Sequence, residues 1–552
     1  MRAFGAVFSR AFGTVFLRAF GTVFSRAFGA TGGLSMDGTG NFGGAPKRVL
    51  VIGAGPGGLA TAMLLRAAGA EVTLLEKEDQ PGGRTGAIRQ DGFTFDIGPT
   101  FFLYPEIPRE IFAACGYDFD AEVDLIRLDP MYRLQFDDGR AIDATADVAR
   151  LTEQVAKIDA EDAKNVAGYL EANRAKFEAF RPILQRPFEG LGDLMKPDMI
   201  RALPKFRPWA TVDGELHRWF RNPDVRVAFS FQSKYLGMSP FKCPSLFTII
   251  AHVEYGFGVW HPRGGCNAIT AAMARVARRM GVDIRLSEPV ERLKLEGRRA
   301  VGAVTARGEH DADAVVMNAD FAHAMTTLVP DAARKRWTDK RIASKSYSCS
   351  TFMLYLGVEG DLPDMQHHTI AFSNDYQRNV AEIDAGKAPV EPTIYVQNAS
   401  RTDPTLAPEG HSALYVLAPV GNLTGGEDWA ALAPAYREKI LDRVSKLAGR
   451  DIRPAIRTEI MYTPDDWRSK LAVYNGATFN LAHNLGQMLH YRPRNRFEDI
   501  DGVYLTGGGT HPGSGLPTIF ESARIAARLC AGDIGLPGAG ELTTTLPMEA
   551  AE

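Results

Sequence analysis

At 552 residues the chain is too long for one ordinary hydrophobic core, so two interleaved domains are expected. Its composition, 45% hydrophobic and 23% charged, is that of a globular protein, and a formal net charge of -3 excludes a general polyanion binder, so no nucleic acid is expected as partner. The five cysteines, Cys115, Cys243, Cys266, Cys349 and Cys530, stand far apart without CxxC spacing, which excludes a disulfide framework and a zinc site and fits a reducing cytoplasm.

Residues 2 to 29 repeat an RAFG octapeptide, with Arg2, Arg10, Arg18 and Arg26 and no acid before Asp37. Eight residues carry a helix about 80° past two full circles, so the arginines spiral round it instead of sharing a face. The segment therefore reads as a low-complexity extension, or as upstream translation of repeated DNA with a working start at Met36. Residues 31 to 46 are rich in Gly and Thr and read as a linker. Beyond residue 30 no run of about 18 apolar residues escapes a charge, so a spanning helix is not expected and membrane contact would be peripheral.

From Lys47 the pattern changes. RVLVIG is a β-branched run suited to a buried parallel strand, GAGPGG follows, LATAMLLRAAG is an apolar helix ending at Gly69, and EVTLLE is a second strand. This βαβ unit gives a glycine pattern the setting that a nucleotide site requires. Residues 146 to 250 read as irregular and helical, a turn and helix follow at 261 to 281, and several short strands lie between 282 and 320. A second irregular segment runs to about 460, and residues 502 to 530 close the chain with a strand, a glycine turn and a helix. Both ends thus read as nucleotide-binding architecture, and the middle as an insertion.

Gly53, Gly55 and Gly58, with Gly57 between them, form GxGxxG: the first permits a tight turn, the second lets backbone approach a pyrophosphate, and the third lets helix pack on strand. Glu76 ends the second strand, where a carboxylate accepts hydrogen bonds from ribose hydroxyls and repels a 2'-phosphate, which disfavours NADP. PGGR at 81 to 84 adds a second bare-backbone turn, so Gly83 and Arg84 are expected to clamp the pyrophosphate from its other side. That second clamp favours FAD over a nicotinamide cofactor. HExxH, CxxC and P-loop patterns are absent, GSG at 513 to 515 has no GxSxG register, and the pairs Asp465/Asp466 and Glu161/Asp162 read as solvated.

GAGPGG, Glu76, PGGR, FDIGPT at 95 to 100, HPRGG at 261 to 265, VVMNAD at 315 to 320 and GGGTHPGSGLP at 507 to 517 occur in an order that resembles the bacterial-type phytoene and diapophytoene desaturases. The resemblance spans 47 to about 533. Amine oxidases and protoporphyrinogen oxidases are similar in the first three motifs only. It implies FAD as cofactor, with Lys77 beside the ribose acid, the backbone of Val290 at the adenine, Gly508, Gly509 and Thr510 against the ribityl chain and His511 near the ring. Gly508 departs from the alanine of many relatives.

The resemblance also implies a lipophilic polyene substrate, which calls for an apolar tunnel. Residues 174 to 242 hold thirteen Lys and Arg against seven acids, interleaved with Phe177, Phe180, Phe188, Phe206, Trp209, Trp219, Phe220, Phe229 and Phe231. Exposed aromatics with basic groups suit an anionic membrane surface, so a cytoplasmic, peripherally membrane-associated protein is expected.

The expected fold is α/β: a discontinuous Rossmann-type FAD-binding domain over 47–145, 262–330 and 460–535, and an interleaved α+β substrate domain with a helical membrane-facing segment over 146–261 and 331–459. Residues 1–46 are then an extension and 536–552 a disordered tail. The expected activity is FAD-dependent desaturation of a C30 or C40 isoprenoid by hydride transfer to flavin. A carotenoid isomerase, carotenoid oxidase or hydroxysqualene dehydroxylase on the same fold, and a non-enzymatic lipid-binding protein like the GDP-dissociation inhibitors, are the alternatives. No residue stands out as the catalytic base, so that assignment and the oligomeric state stay open, and no metal site is expected.

Overall fold

Residues 46–543 are described by a computed structural model. The repeat at 2 to 29, the linker as far as 45 and the Met36 start lie outside the described residues.

The β-branched run after Lys47 becomes β1 (Arg48–Ile52), central in a five-stranded parallel sheet. β2 (Glu71–Leu75) pairs with it on one side, followed by β3 (Asp283–Arg285), and β4 (Ala314–Met317) and β5 (Val503–Leu505) extend the other. Val49 and Val51 on one face, and Leu50 and Ile52 on the other, feed two separate apolar cores, as expected of a strand covered on both faces. α1 (Pro56–Ala67) starts with Pro at its first position and buries Leu59, Met63 and Leu64. It packs with α2 (Asn267–Arg279) and α3 (Leu516–Ile534) through small residues such as Ala272, Ala523 and Ala527.

A seven-stranded sheet stands beside this unit, in the order 456–462, 350–359, 411–420, 394–398, 368–371, 132–135 and 141–144. Its pairs are antiparallel except 368–371 with 132–135. Strand 350–359 shows a period of two: Phe352, Leu354 and Leu356 pack under the helix Trp429–Ala448, whereas Met353 and Tyr355 face Phe93 and Phe95. Helices Val166–Leu184, Pro197–Phe206 and Ile249–Phe257 cover the remaining side.

The expected boundaries shift in three places. Strands Tyr132–Gln135 and Ala141–Ala144 belong to the seven-stranded sheet, so the chain leaves the nucleotide-binding part before 145. Likewise Ile456–Tyr462 pairs with 350–359 and does not begin that part. Of the tail expected from 536, Pro537–Thr543 forms a turn against the end of α1, where Gly538 N–H donates to the Ala68 carbonyl at 3.1 Å, and residues 544–552 lie outside the described residues. The described residues form one compact unit, so the two parts interleave without separating.

Candidate functional site

The fold brings the predicted glycine motifs together on the C-terminal edge of the parallel sheet. Gly53 adopts φ +97° and its N–H donates to the Leu75 carbonyl at 2.8 Å. A Cβ on Gly58 would stand 2.0 Å from the Gly53 carbonyl oxygen, so only glycine lets α1 lie this close to β1. Gly55 and Gly57 face the Asn318 amide at hypothetical Cβ distances of 2.8 and 2.6 Å. Asn318 in turn donates from Nδ2 to the Gly53 carbonyl at 3.3 Å, so the VVMNAD motif packs against the loop. Gly82 N–H donates to the Ala54 carbonyl at 2.9 Å, which lays the PGGR turn directly on GAGPGG.

α1 begins without a side-chain cap and without an acid in its first turn. Its leading N–H groups are thereby left for an anion, and the facing turn at Gly82 and Gly83 is backbone only. These features fit a dinucleotide pyrophosphate.

Glu76 is buried, and its Oε2 accepts from Ala54 N–H at 2.6 Å and its Oε1 from Glu78 N–H at 3.0 Å. Burial raises its pKa against those two hydrogen bonds. Ser287 and Glu288 donate their N–H groups to the Glu78 and Glu76 carbonyls at 2.8 Å each, which places Val290, in strand Val290–Glu296, beside the end of β2. Lys77 is not brought in: its ammonium lies on the surface, held by Glu78 and by the Lys470 carbonyl.

Arg84 donates to the Thr478 carbonyl at 2.9 Å. The Asn480 amide, oriented to satisfy both neighbours, presents its oxygen to Arg84 at 3.2 and 3.3 Å and donates to Asp320 at 2.5 Å. Burial lowers the Arg84 pKa while Asp320 opposes it, so the guanidinium arrives with its charge already faced by a carboxylate.

The turn after β5 is held from within by Arg492, which is fully buried and was missed in the sequence. It donates to the carbonyls of Gly508 at 2.7 Å, Thr510 at 3.0 Å and Leu481 at 3.2 Å. Burial pushes its pKa down to about 9. Gly508 and Gly509 leave no room for a Cβ, which would meet Asn480 and Phe321. Two of the expected site residues use their side chains elsewhere. The Thr510 hydroxyl donates to the Pro493 carbonyl, and His511 faces the Arg186 carbonyl through Nε2 at 3.0 Å and packs edge-on against Phe188. Burial holds the His511 pKa down to about 3, and its imidazole is turned into the core, whereas the following residues Pro512–Ile519 line the central cavity.

Other motif residues prove to be struts. Asp96 of FDIGPT accepts from the N–H groups of Cys266 and Asn267 at 2.8 and 2.9 Å and so caps α2. Asp403 accepts from Gly264 N–H at 2.6 Å and faces His261 Nε2 at 3.2 Å, pinning the HPRGG turn. The signal for Asp96 lay in its motif; Asp403 and Asn480 sit in loops whose partners are distant in sequence, and Arg492 reaches carbonyls 11 to 18 residues away across irregular chain.

A cavity of about 400 Å³ opens from these loops into the protein. Arg84, Gly98, Thr100, Asn480 and Ser514 line one part of it, and Phe177, Phe180, Ile249, Val253 and Leu417 line apolar walls. Sheet tyrosines fix the FDIGPT backbone: Tyr355 donates to the Ile97 carbonyl at 2.6 Å and Tyr415 to the Gly98 carbonyl at 2.7 Å. The Tyr395 hydroxyl sits 2.7 Å from both Thr100 Oγ1 and His368 Nδ1, and His368 stacks on Phe101 at 4.1 Å.

The basic, aromatic stretch is mostly interior. Phe177, Phe180, Phe188, Phe206, Phe220, Phe229 and Phe231 are buried, Trp219 is half-buried, and Trp209 alone of the nine is exposed. Arg174 pairs with Glu171 and Glu178, Arg207 and Arg218 with Glu215, and Lys196 with Asp193. What the expectation omitted is aliphatic: Leu191, Met195, Ile200 and Leu203 are 47–69% exposed, and Trp209 at 73% continues the row. No helix among the described residues is long and apolar enough to cross a membrane, and no cluster of His, Cys, Asp and Glu among them could hold a metal.

The profile of the flavin containing amine oxidoreductases matches residues 56–531. A 4,4'-diapophytoene desaturase (4,4'-diapolycopene-forming) of Methylomonas sp is 43% identical over 88% of this chain and 95% of its own. An all-trans-zeta-carotene desaturase of Myxococcus xanthus is 38% identical over 90% and 96%. Among solved structures, an oxidoreductase from Methanosarcina mazei shares the fold with a TM-score of 0.60 at 18% identity, over 86% of this chain and 98% of that one. Fold and site together define an FAD-dependent oxidoreductase. The chain belongs to the flavin containing amine oxidoreductase family, in its phytoene desaturase branch.

Proposed function

We propose that this protein is a carotenoid desaturase that takes hydrogen from a C30 or C40 isoprenoid and lengthens its conjugation. The observation that carries this reading is the apolar cavity joined to the glycine loops, in a chain whose relatives are carotenoid desaturases.

The residues divide the work. Gly53, Gly55, Gly57 and Gly58 with Gly83 frame the pyrophosphate site, and the start of α1 supplies the positive end of its dipole. Glu76 takes the ribose, and Val290 lies where its backbone reaches an adenine. Arg492 holds the Gly508–Gly509 backbone in place through its carbonyls, which pre-organises that wall before substrate arrives. FAD, when bound, supplies the acceptor for a hydride. The Tyr395, Thr100 and His368 network and the Tyr415 contact with Gly98 hold the polyene's wall rigid, so that orientation and exclusion of water carry the rate.

The substrate enters from lipid. Helix Pro197–Phe206 buries Met199, Ala202 and Phe206 and leaves Ile200 and Leu203 exposed beside the cations Arg201 and Lys205. Phe206 packs edge-on against Phe180 at 4.9 Å, and Phe180 lines the cavity. An anionic membrane surface against 191–209 thus lies one helix from the substrate.

The test is expression in cells that accumulate phytoene and, in parallel, cells that accumulate diapophytoene, with extracted pigments read by absorbance and mass. Loss of hydrogen pairs with a red shift establishes the activity and its chain length. Unchanged mass with altered absorbance, or added oxygen, would instead identify an isomerase or an oxidase.

A further inference from the structure

A cavity built for a hydrocarbon has no use for a bare charge, yet one side chain here presents one. Arg84, Arg181, Lys234 and Glu521 are the charged residues on the cavity wall. Arg84 is met by Thr478, Asn480 and Asp320; Arg181 is bonded to Tyr104; Glu521 accepts from Gln185 and Arg524. The Lys234 ammonium, on the short helix Phe231–Leu236, makes no hydrogen bond and no ion pair among the described residues. Its nearest partner is the face of the Tyr376 ring, with Nζ 5.7 Å from the centroid. Asp384, the acid within electrostatic reach, already pairs with Lys242 at 3.0 Å. The Tyr376 hydroxyl is likewise buried, with the Ser230 hydroxyl, which donates to the Val227 carbonyl, as its neighbour and no well-formed hydrogen bond of its own. An unpaired ammonium beside a poorly satisfied phenol is costly in an apolar cavity unless a ligand satisfies them.

The position of this cluster is set by the sheet. Lys234 feels Cys349, and Cys349 adjoins Ser350 and Thr351, which pair with Val420 and Pro419. Tyr415, on the same strand as Pro419, holds Gly98 beside the glycine loops. Four residues of strand separate Tyr415 from Pro419, roughly 13 Å. Cys349, Tyr376, Leu417 and Pro419 all line the cavity. A linear chain lying along the strand from the Gly98 end would therefore end near Lys234.

We propose that Lys234, with Tyr376, forms a polar anchor for a hydrogen-bond-accepting oxygen at the end of the isoprenoid chain, a carbonyl or carboxylate, so that the enzyme takes terminally oxygenated polyenes as well as hydrocarbons. The proposal rests on the polyene reading of the cavity. It involves no covalent step: the ammonium and the phenol donate, and the ligand oxygen accepts. A carboxylate also neutralises the charge that Asp384 leaves uncompensated.

The test uses the full chain loaded with FAD and three probes of equal length: a linear polyene hydrocarbon, the same chain ending in an aldehyde, and the same chain ending in a carboxylic acid. Binding of each is measured by competition against desaturation of the hydrocarbon and, independently of turnover, by quenching of protein fluorescence. Wild type is expected to bind the acid or the aldehyde at least about tenfold tighter than the hydrocarbon. Lys234→Met is expected to remove that ratio, and Lys234→Arg to retain part of it. Equal binding of the three probes by wild type overturns the anchor, whatever the variants do, and so does a ratio that survives in Lys234→Met. Should Lys234→Met fail to fold, Lys234→Gln carries the comparison. Failure to desaturate any hydrocarbon, with probes still bound in the expected order, would count against the proposed function and leave the anchor standing.

Discussion

The glycine loops at 53–58 and the basic, aromatic stretch at 174–242 stood out equally in the sequence, and the structure treats them in opposite ways. The loops do what their residue types require, because the constraint is local: a Cβ on Gly58 would strike the Gly53 carbonyl five residues away, whatever the rest of the chain does. The stretch does something its composition did not disclose. Its phenylalanines build the interior and several of its cations, Arg174, Arg207 and Arg218 among them, pair with neighbouring acids, while a row of aliphatic side chains takes the surface. Backbone sterics are written in adjacent residues, whereas the side of a helix that meets solvent depends on what packs against it.

The largest expected effect tests the local half of that contrast. Gly58→Ala drives a methyl into the Gly53 carbonyl and should cost on the order of 4 kcal/mol or more, so the protein should be recovered without flavin absorbance or not at all. A flavin-loaded, soluble variant would show that the approach of α1 to β1 tolerates a side chain.

The next effect belongs to the interior of the helical part. Glu254 is fully buried, accepts from Gln232 at 2.9 Å and from Tyr132 at 3.2 Å, and burial raises its pKa from 4.5 to about 7. The fold favours its protonated form, so the stability it contributes is complete below about pH 4.5 and is lost as pH rises toward and through about 7. The span corresponds to on the order of 3 kcal/mol. Denaturant titrations of wild type and Glu254→Gln across that range should diverge, the variant showing the shallower pH dependence; parallel curves would remove Glu254 from the account.

A smaller effect probes the surface row. Replacing Ile200 and Leu203 together by Asp should weaken flotation with anionic vesicles by at least about tenfold, since each loses apolar burial and adds repulsion. The thermal midpoint should hardly move, because both side chains are already exposed. Unchanged flotation would place the membrane contact elsewhere.

The smallest sharpens the nucleotide side. Glu76→Ala should weaken FAD binding by about 1 kcal/mol or more, roughly fivefold in the dissociation constant, through lost ribose hydrogen bonds, and should also free the Ala54 N–H that Glu76 now holds. Equal affinity in equilibrium dialysis would move the ribose contact to another residue.

By itself, the sequence determined the βαβ unit, the glycine loop, the acid at the end of β2 and the family to which the chain belongs, because each rests on short-range spacing. Its motifs also carried Asp96 and Asn318, though not their tasks. The tertiary structure alone decided that Asp96 caps a helix about 170 residues away, that Arg492 stands buried under the Gly508 and Thr510 carbonyls, and that His511 turns into the core. It also decided that Lys234 reaches the cavity with a ring face beside it and neither a hydrogen bond nor an ion pair among the described residues. The physical reason is the same in each case: a hydrogen bond or an unmet charge between distant segments exists only once packing has excluded water and chosen the neighbours.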